Sequence, residues 1–141
     1  MRAERSLGAH TYFVPVEHTR AVRKLIGQTP VLAPELACVL DDDVDSARAN
    51  ARAYAALYLG LRNYTNNLLN HGFSELDIAD GGSDRLIDAI IPHGGADQIA
   101  AAAREHQSAG ADHVCLQTVG VAGTPRAEWT ALASALGITN D

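Results

Sequence analysis

The residues best suited to chemistry lie where the first β-like run of the chain passes into a helix. His10 and Tyr12 belong to that run, Pro15 ends it, and His18 and Thr19 open the helix. A helix N-terminus presents free backbone N–H groups and the positive end of the helix dipole, and both favour a phosphate. The segment therefore predicts a site for a phosphate-bearing ligand. The alternative is that these are ordinary strand and first-turn side chains.

A second candidate is the glycine-rich loop after the last β-like run. Gly120 and Gly123 permit close approach of the backbone to a ligand, and Thr124-Pro125 then opens a helix. The loop lacks the Gly-Lys-Ser/Thr of a phosphate loop, so a turn before a capped helix is the simpler interpretation. Gly81–Arg85 resembles an anion loop too, although a linker with an N-cap at Ser83 is favoured there.

Metal binding is not expected from the histidines and cysteines. The six histidines form no HxxxH or HxH pair and have no nearby cysteine. The two cysteines lie singly inside apolar runs, which is typical of buried, reduced side chains in a cytosolic protein. No spacing supports a Ser-His-Asp or Cys-His arrangement. The residues concerned are His10, His18, His71, His93, His106 and His113, with Cys38 and Cys115.

Length and charge narrow the class of protein. With 141 residues, 47% of them hydrophobic, the chain is long enough for one domain, residues 1–141, with a buried core. A net charge of −6 argues against nucleic acid or an anionic membrane as a partner. No apolar stretch is long enough to span a bilayer and no secretion signal is visible, so we expect a cytoplasmic location.

Three β-like runs alternate with helical patterns, which predicts a parallel α/β architecture. The runs are Ala9–Val14, Leu36–Leu40 and His113–Val119. The last two are almost continuously apolar, as strands buried on both faces are. The predicted helices are Glu17–Ile26, Asp43–Leu59 after an acidic start, Asn63–Asn70, a short helix capped by Ser83, Asp97–Ser108 and one that opens at Thr124-Pro125.

The helical spacing also predicts which side chains face inward. In the first helix these are Val22, Leu25 and Ile26, and in the last helix the inward stripe begins at Trp129. His106 is placed on the inward side of its helix, and Gly110 is placed at that helix's end in a left-handed conformation. The stretch from residue 59 to residue 83 is predicted to be the least regular part of the chain.

Several segments together resemble luciferase-like flavin and deazaflavin oxidoreductases, above all the actinobacterial branch that is predicted to use coenzyme F-420. Their order and spacing carry more weight than any one segment, and they cover nearly the whole chain. The segments are Gly8–Pro15, Glu17–Thr19, Tyr58–Leu61, Asn63–Tyr64, Asn66–Leu68, Gly72–Phe73, Gly95–Ile99, Gly110–Val114 and Pro125–Trp129.

The resemblance implies a partial TIM (β/α)8 barrel, namely its C-terminal β/α units with parallel strands and outer helices. A complete barrel needs eight such units and about 250 residues. The resemblance places Met1–Arg5 at the end of the preceding helix. The family's first strands would then be missing, and their absence would expose a strand edge and apolar surface. We therefore expect a homo-oligomer, or a partner that supplies the other half of the barrel.

The resemblance also implies an activity, namely hydride transfer between reduced coenzyme F-420 and a small organic substrate. FMN is the alternative cofactor, and related flavin members are monooxygenases. On this hypothesis His10 is the candidate catalytic residue. The candidate cofactor-binding residues are Tyr12, His18, Thr19, Gly120 and Gly123. Two other interpretations stay open: a non-catalytic remnant or assembly subunit of such a barrel, and an unrelated small phosphate-binding α/β protein.

Overall fold

A parallel α/β fold is formed by residues 6–138, which are the residues described by the computed structural model of the chain. All strand pairs are parallel, and helices connect the main strands. The strands are β1 Gly8–Ala9, β2 Val31–Leu32, β3 Glu35–Leu40, β4 His93–Gly94 and β5 Cys115–Thr118. The helices are α1 Val16–Ile26, α2 Val44–Leu59, α3 Arg62–Asn70, α4 Glu75–Ile78, α5 Asp84–Ile90, α6 Ala96–Ser108 and α7 Arg126–Leu136.

The long central strand is β2 followed by β3, with a short break at Pro34. On one edge β1 pairs with β2, and further along that edge β4 pairs with the end of β3. On the other edge β5 pairs with β3, with Glu35 opposite Cys115 and Cys38 opposite Thr118. The strand order in this part of the sheet is therefore β4-β3-β5.

Helices cover both faces of the central strand. Ala37 and Val39 point into one core with the alanine stripe of α2 and the apolar residues of α5. Cys38 points the other way, into a second core with Ile99 of α6 and Leu132 of α7. Neighbouring strand residues point to opposite faces, so an apolar run such as β3 can fill two cores at once. This confirms burial on both faces for the second β-like run. The same prediction for the third run is wrong, because β5 is only half-buried and Gln117 is exposed.

The first strand is shorter than predicted. Pairing continues past Ala9, because the Thr11 carbonyl accepts from the Glu35 N–H at 2.7 Å. The chain then turns away at Phe13, which has a positive φ of 53°. That conformation is costly for a residue with a side chain. Phe13 is nevertheless held there by burial and by stacking on Tyr58, with the ring centroids 4.7 Å apart.

Most helix starts are confirmed, with small shifts. Asp43 caps α2 by accepting from the Ser46 N–H at 2.8 Å, and Ser83 caps α5. Helix α7 starts one residue later than predicted, because Pro125 has a non-helical ψ and takes the N-cap position. The stretch predicted as irregular holds α3 and α4, and α4 begins with a capping box. The prediction for residues 1–5 lies outside the described residues.

Two predictions of inward-facing residues are wrong. Leu25 is 72% exposed, since α1 instead buries Thr19 and Arg23, which lie four residues apart on the same face. Trp129 is 50% exposed, because α7 packs on α6 and buries only Leu132 beneath it. Each of these two helices carries apolar side chains over a wider part of its surface than the neighbouring elements can cover.

Arg23 ties the end of α1 to three other segments. Its guanidinium donates to the carbonyls of Gly27, Pro30 and Gly110 at 2.6, 2.9 and 2.8 Å, and to the Asp112 carboxylate at 2.5 Å. The same Asp112 oxygen accepts from the Leu32 N–H at 2.8 Å. The Leu32 N–H and the arginine together hold the pKa of Asp112 below its usual range. A buried arginine is tolerated because its N–H groups are paired.

Gly110 is the residue that lets Arg23 reach this position. Its φ is +110°, and a Cβ there would lie 2.6 Å from Cγ of Arg23. The positive φ that the sequence predicts is confirmed. Any side chain at position 110 would be strained and would also displace the arginine.

The fold class is confirmed at the level of a parallel α/β protein with outer helices. In a TIM barrel each strand lies between its neighbours in the chain, and helices cover only the outer face. Here β5 lies beside β3 and β4 takes the opposite edge, with helices on both faces. The partial-barrel interpretation stays a prediction. Among residues 6–138, no helix combines the length and apolarity needed to cross a bilayer.

Replacing Arg23 should destabilise the fold strongly. We expect Arg23→Ala to lower the free energy of unfolding by about 3 kcal/mol, because it leaves carbonyls and a carboxylate without their donor. Urea denaturation followed by circular dichroism measures the change. The control is Arg85→Ala, an ion-paired arginine whose side chain is 61% exposed, with an expected cost of about 1 kcal/mol or less. Equal costs for the two variants would show that the Arg23 contacts contribute nothing special.

Candidate functional site

The segment from β1 into α1 places its two predicted strand side chains at the surface. His10 is exposed, and its Nδ1 lies 2.5 Å from the Ala33 carbonyl oxygen. A carbonyl only accepts, so Nδ1 carries the ring proton and Nε2 has a free lone pair. Tyr12, 41% exposed, packs edge-on against the His10 ring with the centroids 4.9 Å apart. The Ala33 carbonyl and the Tyr12 ring therefore fix the orientation of the His10 ring at the surface.

Thr19 lies in the core rather than on the surface. Its side chain is fully buried, and its Oγ1 lies 2.9 Å from Nδ1 of His106. His106 is 1% exposed, which confirms its predicted inward position on α6. The pair joins α1 to α6 across 87 residues of sequence. The Thr19 hydroxyl is therefore already hydrogen-bonded to His106 inside the protein.

His18 lies beside His71 at the first turn of α1. The two rings meet edge to face, with centroids 5.1 Å apart. His71 sits at the end of α3, where its Nδ1 donates to the Asn67 carbonyl at 2.8 Å. Nδ1 of His18 is buried and finds no hydrogen-bond partner within residues 6–138. Burial and the nearby His71 lower the pKa of His18, which favours the neutral ring.

A cleft of about 600 Å³ opens beside this turn, between α1, α5 and α6; we name it the α1–α6 cleft. Both signs of charge line it, from Glu17 and Arg20 on α1 and from Arg104 and Glu105 on α6. The first turn of α1 thus contributes to both the cleft and the histidine contacts. Arginine side chains beside a helix N-terminus can hold an anionic group.

The second candidate loop does not join this site. Gly120 follows Val119, whose N–H donates to the Cys38 carbonyl on one edge of the central strand. His10 contacts Ala33 on the other edge. Five residues separate Ala33 from Cys38, or roughly 16 Å along a strand. Gly120 has a φ of 77° and lies against Asn50, while Gly123 has a φ of 78° and open space around it.

The third candidate loop follows the simpler interpretation. Ser83 caps α5 as predicted, and Arg85 donates to the Asp77 carboxylate and the Gly72 carbonyl. The same guanidinium lies over the Phe73 ring, 4.8 Å from its centroid. Arg85 is therefore committed to the contacts that hold α4 against α5.

One polar cluster was not predicted. The Tyr54 hydroxyl lies 2.9 Å from Oε1 of Glu35, 3.0 Å from the Tyr58 hydroxyl and 3.4 Å from Oε1 of Gln117. Burial, aided by Tyr58 and Glu35, raises the pKa of Tyr54. The spacing of Tyr54 and Tyr58 shows only that they share a helix face. Their partners come from two strands far away in sequence, so no local pattern predicts the cluster.

Both cysteines are free thiols, and Cys38 is buried while Cys115 is half-buried. Burial raises the pKa of the Cys38 thiol to about 12, which keeps it protonated and unreactive. Within residues 6–138, no three side chains among His, Cys, Asp and Glu come together in a way that could hold a metal ion.

Comparisons with protein-family models, with curated proteins and with solved structures find no match for this chain. The geometry of the site combines the surface imidazole of His10, the His18–His71 contact at the first turn of α1 and the charged α1–α6 cleft.

The buried histidine makes stability depend on pH. Burial lowers the pKa of His106 to about 4 from 6.5, so between pH 6.5 and pH 4 the unfolded chain binds a proton that the folded chain does not. Stability from this group is full above pH 6.5 and is lost as the pH falls, by at most about 3 kcal/mol at pH 4. We expect His106→Asn, which can still bond Thr19, to reduce this loss. Urea denaturation at a series of pH values measures it.

The matched control is His113→Asn, because His113 is exposed on the surface. That variant should keep the wild-type dependence of unfolding free energy on pH. If His106→Asn and wild type lose stability equally between pH 6.5 and pH 4, the assignment to His106 is wrong.

Proposed function

We propose that this chain is the C-terminal portion of a deazaflavin- or flavin-dependent oxidoreductase that moves hydride between reduced coenzyme F-420 and a small organic substrate. FMN is the alternative cofactor. The observation that carries the proposal is the α1–α6 cleft at the N-terminus of α1, directly after β1. The proposed location is cytoplasmic, and the proposed substrate is a small molecule.

The cleft fits the anionic end of such a cofactor. Arg20 and Arg104 supply positive charge, and the first N–H groups of α1 add hydrogen-bond donors. Glu17 and Glu105 oppose an anion, so the two arginines must lie nearer the bound group than the carboxylates do. His18 adds a neutral ring at the same turn. Thr19 supports the site from the core by fixing α1 on α6.

His10 is the proposed catalytic residue, in the role of proton acceptor or donor. The Ala33 carbonyl fixes the tautomer, so that Nε2 is free to accept a proton. Tyr12 packs on the same ring and limits its rotation. In this proposal the cofactor supplies the redox chemistry, while these residues position it and handle the proton. Gly120 and Gly123 are proposed to act only if a bound cofactor spans the sheet.

The proposed origin as part of a barrel is supported by two features, the parallel strands and the helices that connect them. The position of β4 and the helices on both faces of the central strand are departures from a complete barrel. In a complete barrel one face of β3 would meet side chains from other strands. In the described part of this chain, α6 and α7 cover the face of β3 at Cys38.

A second candidate function is favoured by a separate observation. Leu7, Leu25 and Val31 are 94%, 72% and 51% exposed, and they lie around the N-terminal end of the sheet. Such apolar exposure is typical of a surface that another chain covers. The alternative is therefore a non-catalytic remnant or assembly subunit, kept as a homo-oligomer or by a partner that supplies the other half of a barrel.

Fluorescence titration with coenzyme F-420, with FMN as comparator, tests the cofactor proposal. We expect saturable binding that prefers the deazaflavin and is weakened at least about tenfold, or ~1.4 kcal/mol, by Arg20→Ala. The control is Arg62→Ala, an exposed arginine on α3 outside the cleft, which should bind as wild type does. His18→Ala should weaken binding as well, and the exposed His113→Ala should not.

A folded sample that binds neither cofactor would reject the catalytic proposal and favour the assembly subunit. Binding that Arg20→Ala and Arg62→Ala reduce equally would place the cofactor outside the α1–α6 cleft.

A further inference from the structure

We propose that His18 and His71 form a two-histidine site for a divalent transition metal ion such as Zn²⁺. The two rings meet where the first turn of α1 lies beside the C-terminal end of α3. Both side chains are half-buried, so solvent reaches the pair. The proposal goes beyond the proposed oxidoreductase activity and needs no organic cofactor.

The spacing of the two rings is that of two imidazoles bound to one metal ion. Zinc lies about 2.0–2.1 Å from a histidine nitrogen, and at a tetrahedral centre this places the two ring centroids roughly 5 Å apart. The centroids of His18 and His71 are 5.1 Å apart, with the ring planes inclined at 66°. Because the last torsion of a histidine side chain is broad, either ring can turn a nitrogen toward a shared ion without moving its helix.

His71 is held in the tautomer that a metal ligand needs. Its Nδ1 donates to the Asn67 carbonyl at 2.8 Å, which leaves Nε2 with a free lone pair. Metal-binding histidines usually donate their second ring N–H to a carbonyl or a carboxylate, because this contact fixes the tautomer and the orientation of the ring. His71 therefore offers Nε2 as an oriented ligand.

His18 has a ring nitrogen that the protein itself does not use. Its Nδ1 is buried and has no hydrogen-bond partner within residues 6–138. Buried polar atoms are nearly always paired with the protein, with water or with an ion, so this nitrogen requires a partner from outside the described chain. A third histidine of this region, His106, is bonded to Thr19 in the core and does not take part. The ligands from the protein are therefore His18 and His71.

A pair of ligands leaves coordination positions for water or for a small molecule. Structural zinc sites are closed by four protein ligands, whereas catalytic zinc sites keep a position open. Within residues 6–138, no group of three His, Cys, Asp or Glu side chains could hold a metal ion, so this pair acts without a third protein ligand. Imidazole suits zinc, nickel and copper, whereas Mg²⁺ prefers oxygen ligands. The pair should therefore bind Zn²⁺ and reject Mg²⁺.

The charges at the two helix ends also suit a bound cation. His71 follows α3, whose last carbonyls form the negative end of the helix dipole. His18 lies at the positive end of α1, where Glu17 in the same turn offsets that charge. The negative end of α3 and the Glu17 carboxylate together balance the positive end of α1.

Isothermal titration calorimetry with Zn²⁺ alone, without coenzyme F-420 or FMN, tests the proposal. We expect saturable binding of one ion per chain by wild type, and no binding of Mg²⁺ at the same concentration. His18→Ala and His71→Ala should each raise the Zn²⁺ dissociation constant at least about tenfold, or ~1.4 kcal/mol. The control is His113→Ala, which removes an exposed histidine elsewhere on the surface and should bind Zn²⁺ as wild type does.

Two further measurements separate loss of the site from loss of the fold. Circular dichroism confirms that each variant is folded. Electron paramagnetic resonance of Cu²⁺ bound to wild type should show two coordinated histidine nitrogens, a result that needs no variant. A folded wild type that binds no Zn²⁺ overturns the proposal, and so does binding that both alanine variants keep. Cofactor titration is run without added metal, so a failed metal site and a failed cofactor proposal give different results.

Discussion

The guanidinium of Arg23 is the contact on which the arrangement of this sheet depends. It reaches the loop before β2, the loop before β5 and the carboxylate of Asp112, which itself holds the Leu32 N–H. These segments lie at one end of the central strand, and no apolar contact could fix three backbone carbonyls at once. A charged residue is buried there because its hydrogen bonds define a geometry that packing alone would leave loose. This arrangement requires glycine at position 110, since a side chain there would collide with the arginine.

The same constraint explains how α1 is oriented. Arg23 and Thr19 turn one face of the helix toward β2 and α6. This rotates Leu25 into solvent and brings Glu17 and Arg20 to the α1–α6 cleft. The proposed site is therefore a by-product of how the helix is anchored. Its polar residues are held from below by the Thr19–His106 contact, which is not itself available to a ligand.

Local signals in the sequence predicted the elements well, because capping and apolar period act over a few residues. Asp43, Ser83 and the β3 run are where local chemistry put them. The orientation of α1 could not be predicted, since the partners of Arg23 at Gly110 and Asp112 lie almost ninety residues away. For the same reason the sequence predicted His10 and His18 as site residues but gave no sign of His71 or of the tyrosine cluster. Nor did it predict that Thr19 lies in the core, because its partner His106 belongs to a distant helix.

The pairing of the central strand also determines how late in synthesis its sheet and core can form. Glu35 lies opposite Cys115, so the partner of β3 is made eighty residues later. The cover of the β3 face at Cys38 is also made late, because it comes from Ile99 of α6 and Leu132 of α7. Contacts of such large sequence separation slow folding, because a long loop must close before any of them forms. A nascent chain therefore holds β3 without its full apolar cover until α7 has been made, and apolar strands exposed in this way are prone to aggregation.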